Sequence, residues 1–194
     1  MGKFIVASFV AWRVALIGIV LLAATFVPTT GQFIPELFWQ RGLPSWVWVW
    51  ANFDGVHYIS IAKSGYFFNQ QPFFPLYPFT IRLVNDTLGL NRLVNGQIVS
   101  GQIVSSVALL VSLFLMGKLL VVDKKEKLFG YVVAVVFLFP TAFFYTAVYN
   151  DALFLLFACM TFLSARKRQW IPASAAAALA TLTRLNGLGL IFLI

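Results

Sequence analysis

Charge is scarce in this chain. Of 194 residues, 14 are Lys or Arg and 6 are Asp or Glu, 10% in all, where an ordinary soluble domain carries about 25%. With 61% hydrophobic and 17% aromatic residues and a mean hydropathy of +0.89, there is too little polar surface to solvate a water-soluble globule. Cysteine is nearly absent as well. The single Cys159 sits in an apolar run, which excludes an intrachain disulfide and any site of paired thiolates, and leaves the redox compartment undetermined. With one histidine, a metal would have to be held mainly by carboxylates, and these are few. No metal ligand is therefore assigned, no cofactor is certain, and dependence on a divalent metal stays open. The chain also lacks a phosphate-cradling Gly-rich loop, an H-E-x-x-H helix and a G-x-S-x-G turn.

What the chain does have is long apolar runs. Several approach 20 residues, enough at 1.5 Å per residue to cross a hydrocarbon core of about 30 Å. The expected fold is an all-α, multispanning transmembrane helical protein, with spans at about 4–27, 97–118, 128–148, 152–165 and 173–194 and a long outer loop over 28–92 carrying juxtamembrane helices. A net charge of +8 could suggest nucleic acid, but the basic residues cluster between apolar runs, at Lys124, Lys125 and Lys127 and at Arg166, Lys167 and Arg168. That is the positive-inside pattern, so both clusters are expected in the cytosol and no nucleic-acid partner is expected. A full span over Pro72–Leu90 would put both clusters outside, so that segment is expected to be juxtamembrane or re-entrant. The chain stops within L-G-L-I-F-L-I, a run without polar flank, so it is expected to be an N-terminal half whose remaining spans are missing and which is inactive alone.

Several residues stand out along this plan. Pro28 closes the first run, and Arg13, about 14 Å into it by helix rise, must snorkel or find a partner. Trp39, Trp46, Trp48 and Trp50 read as interfacial anchors, while Glu36 and Arg41 help to break the outer loop. The repeat G-Q-I-V-S, at 96–100 and again at 101–105, sets small residues four apart and reads as a helix-packing device. The return run 152–165 is short unless its outer hairpin, Tyr149-Asn150-Asp151, is sunk below the surface.

The densest polar group is F-D-G-V-H-Y-I-S-I-A-K-S-G-Y, Phe53–Tyr66. If helical, it places Asp54, His57, Tyr58 and Ile61 on one face, so an acid, an imidazole and a phenol converge. Asp54 could equally be an N-cap bonding backbone N–H groups near His57, with Ser64 and Gly65 ending the helix; cap and catalyst can hold together. F-F-P-L-Y-P, Phe73–Pro78, reads as a rigid bend. Asn150 and Asp151 could be only a turn. Arg184 lies between an Ala-rich and an apolar half-helix, where its guanidinium suits a lipid phosphate or, alternatively, a structural ion pair with Asp151 or Asp54.

Taken in order, F-D-G-V-H-Y, I-A-x-x-G-Y, F-F-P-L-Y-P, Y-N-D-A-L-F and T-R-L-N-G resemble the successive motifs of the PIG-V type mannosyltransferases, in the GT-C superfamily of integral-membrane glycosyltransferases. The likeness covers essentially the whole chain, as the N-terminal half of a single GT-C-like domain. It implies transfer of mannose, or a related hexose, from a polyprenyl- or dolichyl-phosphate carrier to a glycan or glycolipid acceptor on the non-cytoplasmic face, in a role akin to GPI-anchor biosynthesis. It also implies a multi-pass location among membrane lipid, in the plasma membrane if prokaryotic or the endoplasmic reticulum if eukaryotic. The catalytic acid of the first outer loop carries over onto Asp54 with His57 beside it, and substrate binding onto Tyr58, Arg184, Asn186 and Asp151. Asp151 departs from the Glu more usual at its position. The competing classes are a transporter, which would normally show a hydropathy repeat, and a non-catalytic membrane subunit, which would need no Asp and His together in an aromatic loop.

Overall fold

The computed structural model describes residues 1–27 and 43–193. Pro28, Glu36, Trp39 and Arg41 lie outside the described residues. Among the described residues every regular element is helical. Helix α1 spans Gly2–Phe26, α2 is the short turn Ser45–Trp48, α3 spans Asp54–Ser64 and α4 Leu76–Thr87. Then α5 spans Gly96–Val122, α6 Phe129–Leu138, α7 Asp151–Arg166 and α8 Trp170–Thr183, with a 3-10 segment over Leu185–Leu193.

By length and composition α1 and α5 are the two described helices that could cross a membrane. The apolar run 128–148 is not one helix. Pro140 has no N–H to give and biases the residue before it away from helix; Phe139 is accordingly extended, at φ −63° and ψ 137°. The chain resumes as a 3-10 turn over Ala142–Tyr145. Helix α4, at 12 residues, is about 18 Å long, too short to span. Its sequence begins as its prolines require, with Pro75 at the N-cap and Pro78 in the first turn, where a missing N–H costs nothing.

Helix α5 is the axis of the packing. Ile98, Leu109 and Leu113 on α5 are buried with Ile5 of α1, Tyr77 and Ile81 of α4 and Val148 of the hairpin. The G-Q-I-V-S repeat provides two close approaches to different partners. A Cβ on Gly96 would stand 2.2 Å from the Leu90 carbonyl oxygen, and one on Gly101 would stand 2.7 Å from a Val148 methyl. Small residues here are thus a steric requirement, as a packing device demands. Val148 meets α5 at Gly101, five residues, or about 8 Å, from the first residue of that helix.

Of the two alternatives for Arg13, the structure shows a partner: its Nη2 donates to Gln102 Oε1 at 3.2 Å, and its guanidinium lies 5.1 Å from the centroid of the Trp50 ring, a cation–π contact. One expectation is corrected. Trp50 is no interfacial anchor. It is 5% exposed and stacks on Phe143 with centroids 5.2 Å apart, whereas Trp46 stays 48% exposed. At the far end, Arg166 Nε pairs with Asp123 Oδ1 at 3.0 Å, so the two basic clusters share one end of the molecule. The hairpin tip lies at the other.

Candidate active site

The site grows from the turn into α3. Of the two readings left open for Asp54, cap and catalyst, the first is not met: the cap position belongs to Phe53 and carries no side-chain cap hydrogen bond. Asp54 is instead the first helical residue, where a carboxylate is favoured by the helix dipole. The orphan donors are met by the backbone itself, Gly55 N–H to Asn52 C=O and Val56 N–H to Phe53 C=O, both at 3.1 Å. Asp54 is exposed, His57 half-buried and Tyr58 buried. The helix ends as expected at Gly65, whose φ of 83° and N–H bond to Ile61 C=O suit a residue without Cβ.

His57 packs against the segment before α4. Its ring stacks on Phe73, centroids 4.6 Å apart at 25°, and its Nδ1 lies 3.4 Å from Gln70 Nε2. Gln70 Oε1 accepts the Phe67 N–H at 3.0 Å, which fixes the amide with its NH2 toward the imidazole. His57 Nδ1 is therefore the acceptor, and the neutral ring carries its proton on Nε2. The F-F-P-L-Y-P bend is thus more than a bend. Phe73 also meets Tyr58 edge-on at 5.3 Å, Tyr77 meets Tyr58 edge-on at 5.0 Å, and the Tyr66 hydroxyl donates to the Phe73 carbonyl at 2.6 Å.

The hairpin brings the distant half of the site to the same place. Asn150 Nδ2 donates to the Thr183 carbonyl at 2.6 Å, satisfying one of the orphan acceptors at the end of α8. Asp151, first residue of α7, pairs through Oδ1 with Arg184 Nη1 at 2.6 Å. Arg184 leaves the helix in extended conformation. Gly187 permits the chain to fold straight back, since a Cβ there would stand 2.3 Å from the Thr181 backbone nitrogen. Asn186 is exposed on that turn.

One phenol reports on the whole cluster. Burial first, then the negative charges of Asp54 and Asp151, hold the Tyr58 hydroxyl well above the usual tyrosine range, while Arg184 pulls the other way. Charged residues from three separate segments, Asp54, Asp151 and Arg184, therefore act electrostatically on Tyr58. Among the described residues no three His, Cys, Asp or Glu side chains gather into one group. Sequence reading missed Gln70, which carries no motif, and took Asn150 for a turn; its partner is a carbonyl 33 residues away, which no local pattern encodes.

Two described helices long and apolar enough to cross a membrane, α1 and α5, suggest a helical membrane protein. Residues 16–192 match the family model described as Mannosyltransferase (PIG-V), and the chain belongs to that family of glycosyltransferases. No match emerged with curated proteins or with solved structures.

Proposed function

We propose that the chain transfers mannose, or a related hexose, from a polyprenyl- or dolichyl-phosphate donor to an acceptor hydroxyl on the non-cytoplasmic face of a membrane that it crosses several times. The observation that carries this reading is the electrostatic convergence of Asp54, Asp151 and Arg184 on Tyr58 in a member of a mannosyltransferase family. In the reaction the acceptor oxygen attacks the anomeric carbon, the bond from that carbon to the carrier phosphate breaks, and the phosphate leaves with the electron pair. Asp54 takes the acceptor proton as general base. Arg184 holds the departing phosphate by charge-assisted hydrogen bonds, with Asp151 as its counter-ion until the donor arrives. His57, Tyr58 and Asn186 orient the substrates.

Asp54→Asn tests the assignment cleanly. The carboxylate makes no cap hydrogen bond, so Asn, which cannot take a proton, should leave folding and donor binding near normal. Transfer in the full-length enzyme should fall about a hundredfold or more, and His57→Gln should cost less. A well-folded Asp54→Asn enzyme with near wild-type turnover would refute the role.

A further inference from the structure

The backbone just before Asp54 is strained. Phe53 adopts φ 52° and ψ −121°, a region that non-glycine residues seldom occupy and that survives only where neighbouring groups over-determine it. Two side chains do so. Asn52 Oδ1 accepts the Phe53 N–H at 2.9 Å. From the hairpin, 97 residues further on, the Tyr149 hydroxyl donates to the Asn52 carbonyl at 3.0 Å.

Tyr149 is itself firmly held. Its carbonyl accepts the Ser105 hydroxyl at 3.2 Å, and Ser105 in turn bonds the fully buried Tyr77 hydroxyl at 2.7 Å. The neighbouring Val148 N–H donates to the Trp50 carbonyl at 2.7 Å. A Cβ on Gly55 would stand 3.2 Å from the Val148 carbonyl oxygen, so hairpin and turn are in close contact. The Tyr149 ring is 9% exposed and packs on Phe144 with centroids 4.6 Å apart. A continuous set of hydrogen bonds therefore runs from the interior of α5 through the hairpin to the turn that carries Asp54.

We infer that Tyr149 is a positioning residue that, with Asn52, holds the strained Phe53 turn and so fixes where the Asp54 carboxylate points. The inference rests on Asp54 being the base. Burial, then the Asp54 and Asp151 charges, push the Tyr149 phenol up to about 12, against the opposing effect of the Asp54 backbone N–H. The raised value keeps the phenol protonated, and thus a donor to Asn52, throughout any working pH. Asp54 is the first residue after the strained one, so relaxation of the turn displaces its carboxylate directly. Proton transfer needs contact at about 2.6–3.2 Å, and a misplacement of about 1 Å can cost a hundredfold.

Tyr149→Phe removes only the hydroxyl. In the full-length enzyme kcat should fall about ten- to a hundredfold, with both KM values within about twofold and the detergent melting temperature lowered by no more than about 4 °C. The pH–rate profile should keep its midpoints, because Tyr149 is not the titrating group. In an Asp54→Asn background the same change should add nothing further, since the group it positions is already gone. Unchanged kcat in Tyr149→Phe, a rise in KM in place of the fall in kcat, or losses that multiply in the double variant would overturn the inference. Near wild-type turnover in Asp54→Asn alone would remove the base, and the positioning role with it, which separates failure of that assignment from failure of this one.

Discussion

Arg184 is the residue at which a structural and a chemical role are most closely entangled. Its pair with Asp151 is short, at 2.6 Å, yet the side chains are 39% and 24% exposed, and a pair so open to solvent contributes only about 0–1 kcal/mol. Stability alone gives little reason for an arginine here. If its task is to hold the carrier phosphate, Arg184→Lys keeps the charge and loses the planar fork. Apparent donor affinity should then weaken about tenfold or more, while acceptor affinity and the melting temperature stay nearly constant. Steady-state kinetics with each substrate varied in turn measures this. Equal changes in both affinities would make the pair purely structural.

At the scale of elements, the contact between α5 and the hairpin carries the most weight, because the hairpin delivers Val148, Tyr149, Asn150 and Asp151 to four different partners. That delivery depends on Gly101, where an added Cβ would collide with Val148 at 2.7 Å, while Gly18 on α1 has nothing within 4 Å. Gly101→Ala should therefore destabilise the protein by about 1–3 kcal/mol through overpacking. Gly18→Ala should be neutral or stabilising by up to about 1 kcal/mol from helix propensity. Unfolding of the two variants in the same detergent compares them directly. Equal shifts would mean that the contact relaxes without cost.

At the scale of the whole molecule, the Asp123–Arg166 pair joins the ends of α5 and α7 and gathers the basic clusters opposite the hairpin tip. In the proposed topology the positive-inside rule puts that end in the cytosol and the end with Asp54 and Asp151 outside. In a Cys159→Ser background, cysteine placed at residue 63 should react with an impermeant thiol reagent in intact cells, and cysteine placed at residue 125 should not. The reverse pattern would invert the proposed topology.

Composition and charge pattern alone determined much here, because the forces concerned are local or additive. Apolar runs gave the all-helical class, and the basic clusters gave the orientation proposed for it. Gly65 marked the end of α3, the G-Q-I-V-S repeat marked close approaches to α5, made by a 3-10 turn and the hairpin, and five short motifs gave the family. Tertiary structure decided what depended on distant groups meeting. It turned Trp50 inward under Arg13, put Phe53 at the cap position before Asp54, and chose Asp151 over Asp54 as the partner of Arg184, whereas the break of the 128–148 run at Phe139 follows from Pro140 in the sequence itself. Tertiary structure also made Tyr149, Asn150 and Asp151 the junction between the two halves of the site. Each of those tertiary outcomes rests on a hydrogen bond, ring contact or ion pair between residues far apart in the chain, or, at Phe53, on a backbone angle held within the packed fold; hydropathy and spacing carry no record of either.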